Sequence, residues 1–151
     1  MTTKINKLLL KDKNAYTICV LEDIEKEDAF LNKTAQKLKD GADVIEFFAK
    51  NITDRDFLSV AKKLRDLCGV FNALLVVRRR IDIAKLANAD GVVLDGDSIG
   101  ISEAFRLTES NILLGYHAQD GISLKEDEVG ICDFVVSKEP INADIKAFQT
   151  N

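Results

Sequence analysis

The chain has 151 residues, a length typical of one domain and sufficient to bury a hydrophobic core without disulfides or metals. Hydrophobic residues make up 46% of the sequence and charged residues 30%, as in ordinary globular proteins. The formal net charge of -4 argues against general nucleic-acid binding, so any cluster of basic residues must be judged as a local site.

The cysteines and the apolar segments give expectations about the cellular compartment. Cys19, Cys68 and Cys132 are odd in number and widely spaced, so we expect buried reduced thiols and neither disulfides nor a zinc site. No apolar run approaches the ~20 residues that span a membrane. The apolar stretch near the N-terminus is too short for a signal peptide. These features predict a cytoplasmic protein that does not contact a membrane.

Apolar runs alternate with helical patterns along most of the chain. A short helix over residues 5–10 comes first. Apolar, β-branched runs predict six strands, over residues 16–21, 42–49, 73–77, 91–94, 112–116 and 132–136. Helical spacing and capping residues predict helices over residues 27–39, 53–68, 82–87 and 102–108, a short one within 122–128, and a last one over 143–148. Gly41 and Gly69 are the expected helix ends, and Ser102 the expected cap of the 102–108 helix.

Strict alternation of strands and helices predicts an α/β fold with parallel strands and one domain over residues 1–151. The strands are apolar on both faces, as in sheets covered by helices. Eight such units, as in a complete TIM barrel, need roughly 200 residues or more. With about six units, the chain predicts either an incomplete TIM-like barrel or an open doubly wound sheet.

Charged residues stand where the two central strands end. Arg78, Arg79 and Arg80 follow the third strand, and Asp95 and Asp97 follow the fourth. Ligands bind at the carboxyl ends of parallel strands, both in barrels and in open sheets. The sequence therefore predicts a ligand site between residues 73 and 98.

Residues 16–136 resemble the thiamine phosphate synthase/TenI family, whose fold is a (βα)8 barrel. The family pattern Val-Gln-Leu-Arg-Glu-Lys-Asn is similar to Ile-Glu-Phe-Phe-Ala-Lys-Asn at residues 45–51. Its Leu-Ile-Ile-Asn-Asp-Arg-Val-Asp-Leu-Ala is similar to residues 75–84, and its Ala-Asp-Gly-Val-His-Leu-Gly-Gln to residues 89–96. Its Ile-Gly-Val-Ser-Thr-His is similar to residues 114–119.

The resemblance implies an enzyme that couples a pyrimidine pyrophosphate to a thiazole phosphate, with aspartates holding Mg2+ and cationic side chains holding the pyrophosphate. Lys50 and Arg80 match the family, whereas Glu46 and Phe48 replace its Gln and Arg. Arg79 replaces its metal-binding Asp. Gly96 and Ser98 replace the Gln and the acidic residue after the fourth strand, and the later phosphate-binding loops have no counterpart. We therefore expect a divergent, C-terminally shortened member that lacks the synthase activity.

Four cations are the candidate phosphate ligands: Lys50, Arg78, Arg80 and Lys138. Alternation along a strand would place Arg78 and Arg80 on one face, and guanidinium groups match the geometry of phosphate. The alternative is a cluster of salt bridges between the arginines and Glu46, Asp95 and Asp97. These two aspartates could also hold Mg2+, although three neighbouring arginines would repel it.

His117, the only histidine, is the candidate acid or base at the same edge of the sheet. In the tautomerase branch of the family the catalytic histidine corresponds to Gln119, two residues later. Glu46, Phe48 and Gln119 are predicted to line the pocket, and Phe48 to fill part of it.

Three functions follow from this sequence. The first is a protein without synthase activity that keeps a phosphate or small-molecule site, or acts through assembly. The second is an active thiamine-biosynthesis enzyme, with Mg2+ as its cofactor. The third is an open α/β module of the receiver type. Unpaired outer strands invite association, so we also predict a homodimer.

Overall fold

The computed structural model describes residues 3–109, 111–118, 124–140 and 145–150. The strands are β1 (Tyr16–Leu21), β2 (Val44–Ala49), β3 (Leu74–Arg78), β4 (Gly91–Leu94), β5 (Leu113–Ala118), β6 (Phe134–Ser137) and β7 (Lys146–Gln149). The helices are α1 (Thr3–Lys11), α2 (Glu27–Lys39), α3 (Asp54–Val70), α4 (Ile81–Leu86), α5 (Ile101–Thr108) and α6 (Glu126–Ile131), with a 3-10 turn at Ile24–Lys26. Within these residues, no helix combines the length and the apolar character that a membrane crossing needs.

The seven strands form one parallel sheet whose spatial order is the chain order, β1 to β7. A doubly wound sheet reverses its strand order at a switch point, so this order excludes the open alternative. The sheet curls until Tyr16 of β1 and Phe148 of β7 lie with ring centroids 4.9 Å apart. Lys146 also donates from its Nζ to the carbonyl of Lys11, at 3.3 Å. The prediction of an incomplete TIM-like barrel is therefore confirmed.

Two apolar clusters lie on opposite faces of the sheet because side chains alternate along each strand. The outer cluster, between sheet and helices, includes Ile45 and Phe47 of β2 together with Phe57 of α3. The inner cluster fills the concave face and consists of Leu10, Val44, Leu74, Val76, Val93, Leu113, Phe134, Val136 and Phe148. A Cβ at position 115 would clash with the ring of Phe134, so only glycine fits there. Apolar packing therefore fills the interior, except at the end where the strands finish.

The amino ends of the strands are joined by a repeated aspartate contact. Asp43, Asp90 and Asp133 each come immediately before an even-numbered strand. Each accepts a backbone N–H from the start of the preceding odd-numbered strand or, for Asp43, from the residues just before β1. Lys7 of α1 pairs with Asp133 at 2.8 Å, which docks this helix across the same end. The opposite, carboxyl end is therefore left open to ligands.

Several local features of the structure differ from those predicted from the sequence. Residues 146–148, part of the helix expected over residues 143–148, lie instead in β7, because Phe148 is buried against the inner cluster and residues 146–149 pair with β6. β5 continues to Ala118, so His117 lies within the strand and not after it. The helix expected to end at Gly69 continues to Val70, and the helix expected to be capped by Ser102 begins at Ile101 after Gly100.

Candidate functional site

A cleft of about 570 Å³ opens at the carboxyl ends of the strands. Its walls come from six of the strands or the segments that follow them: Ile18, Arg78, Arg79, Asp95, His117, Ala118, Val136, Ser137, Lys138 and Thr150. The structure thus brings together four candidates that are distant in sequence, namely Arg78, Asp95, His117 and Lys138. Lys50 and Arg80 do not line this cleft.

Glu46 lies below the cleft, fully buried, at the centre of a polar network. Its Oε1 accepts hydrogen bonds from the hydroxyl of Tyr16, at 2.6 Å, and from Nε2 of His117. Its Oε2 accepts from Nε of Arg78 at 2.7 Å, and Nη2 of Arg78 lies 2.5 Å from the same oxygen. Three side chains thus donate to one carboxylate and give it the partners that a buried charge requires.

These partners determine the ionisation of Glu46. Burial acts to raise its pKa, but the hydrogen bond and charge of His117, the charge of Arg78 and the hydrogen bond of Tyr16 outweigh it and hold the pKa below the ordinary value. Burial and the neighbouring carboxylate raise the pKa of Tyr16 well above its ordinary value. The network therefore contains an ionised Glu46, a neutral tyrosine that donates to it and a guanidinium that neutralises it.

The contact with Glu46 also determines the tautomer of His117. An ionised carboxylate only accepts hydrogen bonds, so Nε2 must carry the proton that it donates. When the ring is neutral, its other nitrogen, Nδ1, is therefore an acceptor. Within the described residues Nδ1 has no hydrogen-bond partner, and it is not a buried unpaired atom. His117 thus offers a proton acceptor at the cleft wall.

Arg79 and Asp95 form a second ion pair at the cleft. Arg79 adopts a left-handed backbone conformation, with φ of 66°, which ends the alternation of β3. Its Nε donates to Oδ2 of Asp95 at 2.7 Å, and its Nη2 lies 3.5 Å from Oδ2 of Asp97. Burial acts to raise the pKa of Asp95, but the hydrogen bond from Arg79 and those from the Asp97 amide and Ser98 hydroxyl lower it overall. The predicted salt bridges of Arg78 and Arg79 are therefore present.

Asp95 and Asp97 do not fit the predicted Mg2+ site. Oδ2 of Asp95 is held by Arg79, and its Oδ1 accepts from the amide of Asp97 at 3.0 Å and from the hydroxyl of Ser98 at 3.2 Å. The Asp97 side chain is exposed beside the same guanidinium. No group of three or more potential metal ligands occurs among the described residues. The arginine takes the position that a cation would need.

Arg80 points to different partners from Arg78, because β3 ends between them. It donates to Asp54 at 2.8 Å and to Asp82 at 2.8 Å, beside the first turns of α3 and α4. Its guanidinium also lies over the ring of Phe57, 5.6 Å from the centroid. Arg78 and Arg80 therefore do not share partners, contrary to the expectation from strand alternation.

The remaining candidates lie around the cleft. The guanidinium groups of Arg78 and Arg79 lie 5.5 Å and 5.3 Å from the centroid of Phe48, so this ring supports both arginines from beside the cleft. Phe48 is not part of the cleft wall, and its predicted filling of the pocket stays a prediction. Lys138 is exposed at the rim, and Lys50 is exposed after β2. Gln119 lies outside the described residues.

Sequence reasoning missed Tyr16, Ser137 and Thr150 as parts of the site. Tyr16 joins the network because β1 pairs with β2 in a register that places Ile18 beside Glu46. The inward alternation of β1 is visible in the sequence, but the register is not. Thr150 reaches the cleft because it follows the unpredicted strand β7.

The chain matches known proteins along most of its length. The family model described as thiamine monophosphate synthase matches residues 15–148. A thiamine-phosphate synthase from Prochlorococcus marinus (strain AS9601) is 28% identical over 132 residues, which cover 87% of this chain and 36% of that protein. One from Methanococcus maripaludis is 29% identical over 126 residues, covering 83% of this chain and 60% of that protein.

The chain therefore spans between about a third and three fifths of the length of these two relatives. Among solved structures, thiamine phosphate pyrophosphorylase from Pyrococcus furiosus has the same fold, with a TM-score of 0.69 and 24% identity. That match covers 85% of this chain and 61% of the other. From the family match over residues 15–148, the chain belongs to the thiamine monophosphate synthase family.

Proposed function

We propose that this protein is a divergent member of its family that binds a phosphorylated small molecule in the cleft and does not couple a pyrimidine pyrophosphate to a thiazole phosphate. The observation that carries the proposal is the Arg79–Asp95 ion pair. It places a fixed cation at the cleft wall, at the position where the family has a metal-binding aspartate.

The hydrogen-bond donors at the cleft wall suit an anion. Its wall carries the cations Arg78, Arg79 and Lys138 and one carboxylate, Asp95. Each guanidinium has five N–H donors. Arg78 uses Nε and Nη2 on Glu46, and Arg79 uses Nε and Nη2 on the two aspartates, so among the described residues Nη1 of both arginines has no partner and can bind a ligand.

Ser137 adds a neutral donor to the same wall. It is buried, and its Oγ accepts from the amide of Glu139 at 3.1 Å; no acceptor for its hydroxyl proton lies in the described part of the chain, so this proton can be donated to a ligand. Two guanidinium groups, an ammonium group and a hydroxyl make a set of donors suited to a phosphoryl group.

The residues at the expected metal site do not suit the coupling reaction. Magnesium in phosphate-binding enzymes needs one or two free carboxylates together with the substrate phosphates. Here both oxygens of Asp95 already accept hydrogen bonds, and a guanidinium lies between Asp95 and Asp97. A divalent ion would have to displace Arg79 against its charge.

The second candidate is an active synthase. The observation that favours it is that Lys50 and Arg80 match the family pattern and that Lys50 is exposed near the end of β2. In that case Lys50 and Arg80 would hold the pyrophosphate, and Asp97 would have to leave Arg79 to bind the metal.

Isothermal titration with inorganic phosphate in the presence of a chelator tests the proposed function. We expect binding without added metal. Arg79→Ala should weaken it by about tenfold or more, as expected for the loss of a charged hydrogen bond. Arg80→Ala, which changes a cation outside the cleft, and Lys39→Ala, on the outer helix α2, should leave it within about twofold. Absence of phosphate binding in the full chain would overturn the proposal.

A further inference from the structure

We infer that the cleft selects a phosphoryl group that still carries one proton, because His117 presents an unprotonated Nδ1 that accepts this proton. The inference rests on the proposed anion site and adds the specificity of that site. The ligands expected to bind well are hydrogen phosphate and the monoanion of a phosphate monoester. Sulfate and the dianion of a monoester lack the proton and should bind less tightly.

The contact with Glu46 fixes the tautomer of His117. Glu46 is buried, is ionised and receives the Nε2 proton of His117. A proton on Nδ1 alone would leave Nε2 as an acceptor against the carboxylate, and the buried charge would lose this donor. The cost of leaving a buried charge without its partner makes that tautomer unfavourable. Glu46 thus positions His117.

The imidazole ring of His117 lines the same cleft as the cations Arg78, Arg79 and Lys138. His117 and Ala118 lie on β5, beside Val136 and Ser137 of β6, and all four line the cleft. Among the described residues, Arg78, Arg79, Asp95 and Lys138 line the cleft together with His117, and Glu46 bonds to the ring and to Tyr16. An anion held by the arginines and Lys138 therefore has the imidazole as its neighbour on the β5 side.

Hydrogen phosphate and sulfate differ in their ability to donate a hydrogen bond. At about pH 8 hydrogen phosphate and sulfate carry the same charge and have similar size, but only hydrogen phosphate has an O–H to donate. Against a neutral Nδ1, one oxygen of sulfate would face a lone pair. A site built around a hydrogen bond discriminates against a ligand that lacks the matching group.

The test compares inorganic phosphate, sulfate and glycerol phosphate by titration at about pH 8, where a monoester has lost its second proton. We expect phosphate to bind about tenfold more tightly than sulfate or glycerol phosphate, the value of one hydrogen bond.

A variant and its control complete the test. His117→Gln replaces the fixed acceptor by an amide that can turn its donor or its acceptor to the ligand. The phosphate-to-sulfate ratio should fall to within about twofold, while the arginines still bind both anions. Lys39→Ala should keep the ratio of the wild-type protein.

The outcomes separate this inference from the proposed function. Equal binding of phosphate and sulfate by the wild-type protein would overturn the selection by His117 and leave the anion site standing. Binding of neither anion would overturn both. Since the chain contains a single histidine, nitrogen-15 labelling of histidine gives one pair of ring signals. They should show the proton on Nε2 at about pH 8, and a proton on Nδ1 instead would contradict the inference.

Discussion

Arg79 donates from Nε to Oδ2 of Asp95 at 2.7 Å from a backbone in the left-handed region, with φ of 66°. A non-glycine residue keeps this conformation only where its surroundings hold it. Here the Asp95 carboxylate, the Phe48 ring and the hydrogen bond from the Arg79 amide to the carbonyl of Val93 do so. The pair neutralises the carboxylate and still presents a cation to the cleft.

Arg79→Asp should convert this site from one that binds anions to one that binds a divalent cation. The variant places a third carboxylate beside Asp95 and Asp97, and oxygen ligands of this kind suit Mg2+ and Mn2+. Titration with Mn2+, followed by electron paramagnetic resonance, should show binding by the variant. Arg79→Ala, which removes the cation without adding a carboxylate, is the matched control and should bind less. Equal Mn2+ binding by the wild-type protein would contradict the assignment.

Glu46→Ala should strongly destabilise the fold. The substitution leaves Arg78 without its partner and removes the acceptor of Tyr16 and His117. Breaking a buried ion pair by removing one partner costs about 3–5 kcal/mol. Urea unfolding measures the change, and Glu22→Ala, an exposed residue just after β1, serves as the control with an expected change within about 0.5 kcal/mol. A loss below about 1 kcal/mol would show that the network contributes little.

The pKa values of the buried carboxylates predict loss of stability in acid. The pKa values of Glu46 and Asp95 are lowered in the folded protein. Such groups stabilise the fold above their unfolded pKa values, and this contribution is lost as the pH falls through the folded values. Asp90 acts in the opposite direction, since burial raises its pKa.

The free energy of unfolding should therefore fall below about pH 4.5, the ordinary value for a glutamate. Urea unfolding at a series of pH values measures it. Glu46→Gln, which cannot ionise, should show a shallower fall. A profile in this variant as steep as in the wild-type protein would remove Glu46 as a cause.

Phe148→Ala should show that β7 belongs to the core. Phe148 is 2% exposed and its ring packs against Phe134, with centroids 5.8 Å apart, as well as against Tyr16. Truncation of a buried phenylalanine costs about 3–5 kcal/mol. Ala147→Ser, at the neighbouring exposed position, should change the free energy of unfolding by less than about 0.5 kcal/mol. Equal effects of the two variants would place residues 146–149 outside the core.

The outer strand β1 leads to a prediction about assembly. In the described part of the sheet β1 pairs only with β2, and Ile18 and Val20 are each 37% exposed. Free strand edges with apolar side chains favour association, so we predict a homodimer. Light scattering over a range of concentrations should give twice the mass of one chain, and Val20→Lys should shift the protein towards the monomer. A wild-type monomer at every concentration would contradict this prediction.

The fold could be predicted from the sequence because its signals are local. Apolar runs such as residues 74–77 and 91–94 predict strands from their local sequence alone, and their alternation with helices predicts parallel pairing. β7 escaped prediction because Lys146, Ala147, Phe148 and Gln149 carry no strong strand pattern. They form a strand because Phe148 packs against Tyr16, which lies near the other end of the chain.

The site was predictable to the extent that it depends on strand ends. Arg78, Asp95, His117 and Lys138 follow or finish strands, and the structure places them at one cleft. The separation of Arg80 from Arg78 could not be predicted, because it depends on the backbone turn at Arg79. The pairing of Glu46 with His117 depends on the curvature of the barrel, which brings β2 and β5 face to face.

The central claim is that this family member binds a phosphorylated ligand without catalysing the family reaction. The most direct measurement is the formation of thiamine phosphate from the pyrimidine pyrophosphate and the thiazole phosphate with Mg2+, with thermal unfolding recorded in the same samples. We predict no product, together with a ligand-dependent rise in melting temperature that Arg79→Ala reduces. Product formation that disappears in Lys50→Ala would contradict the claim and identify an active synthase.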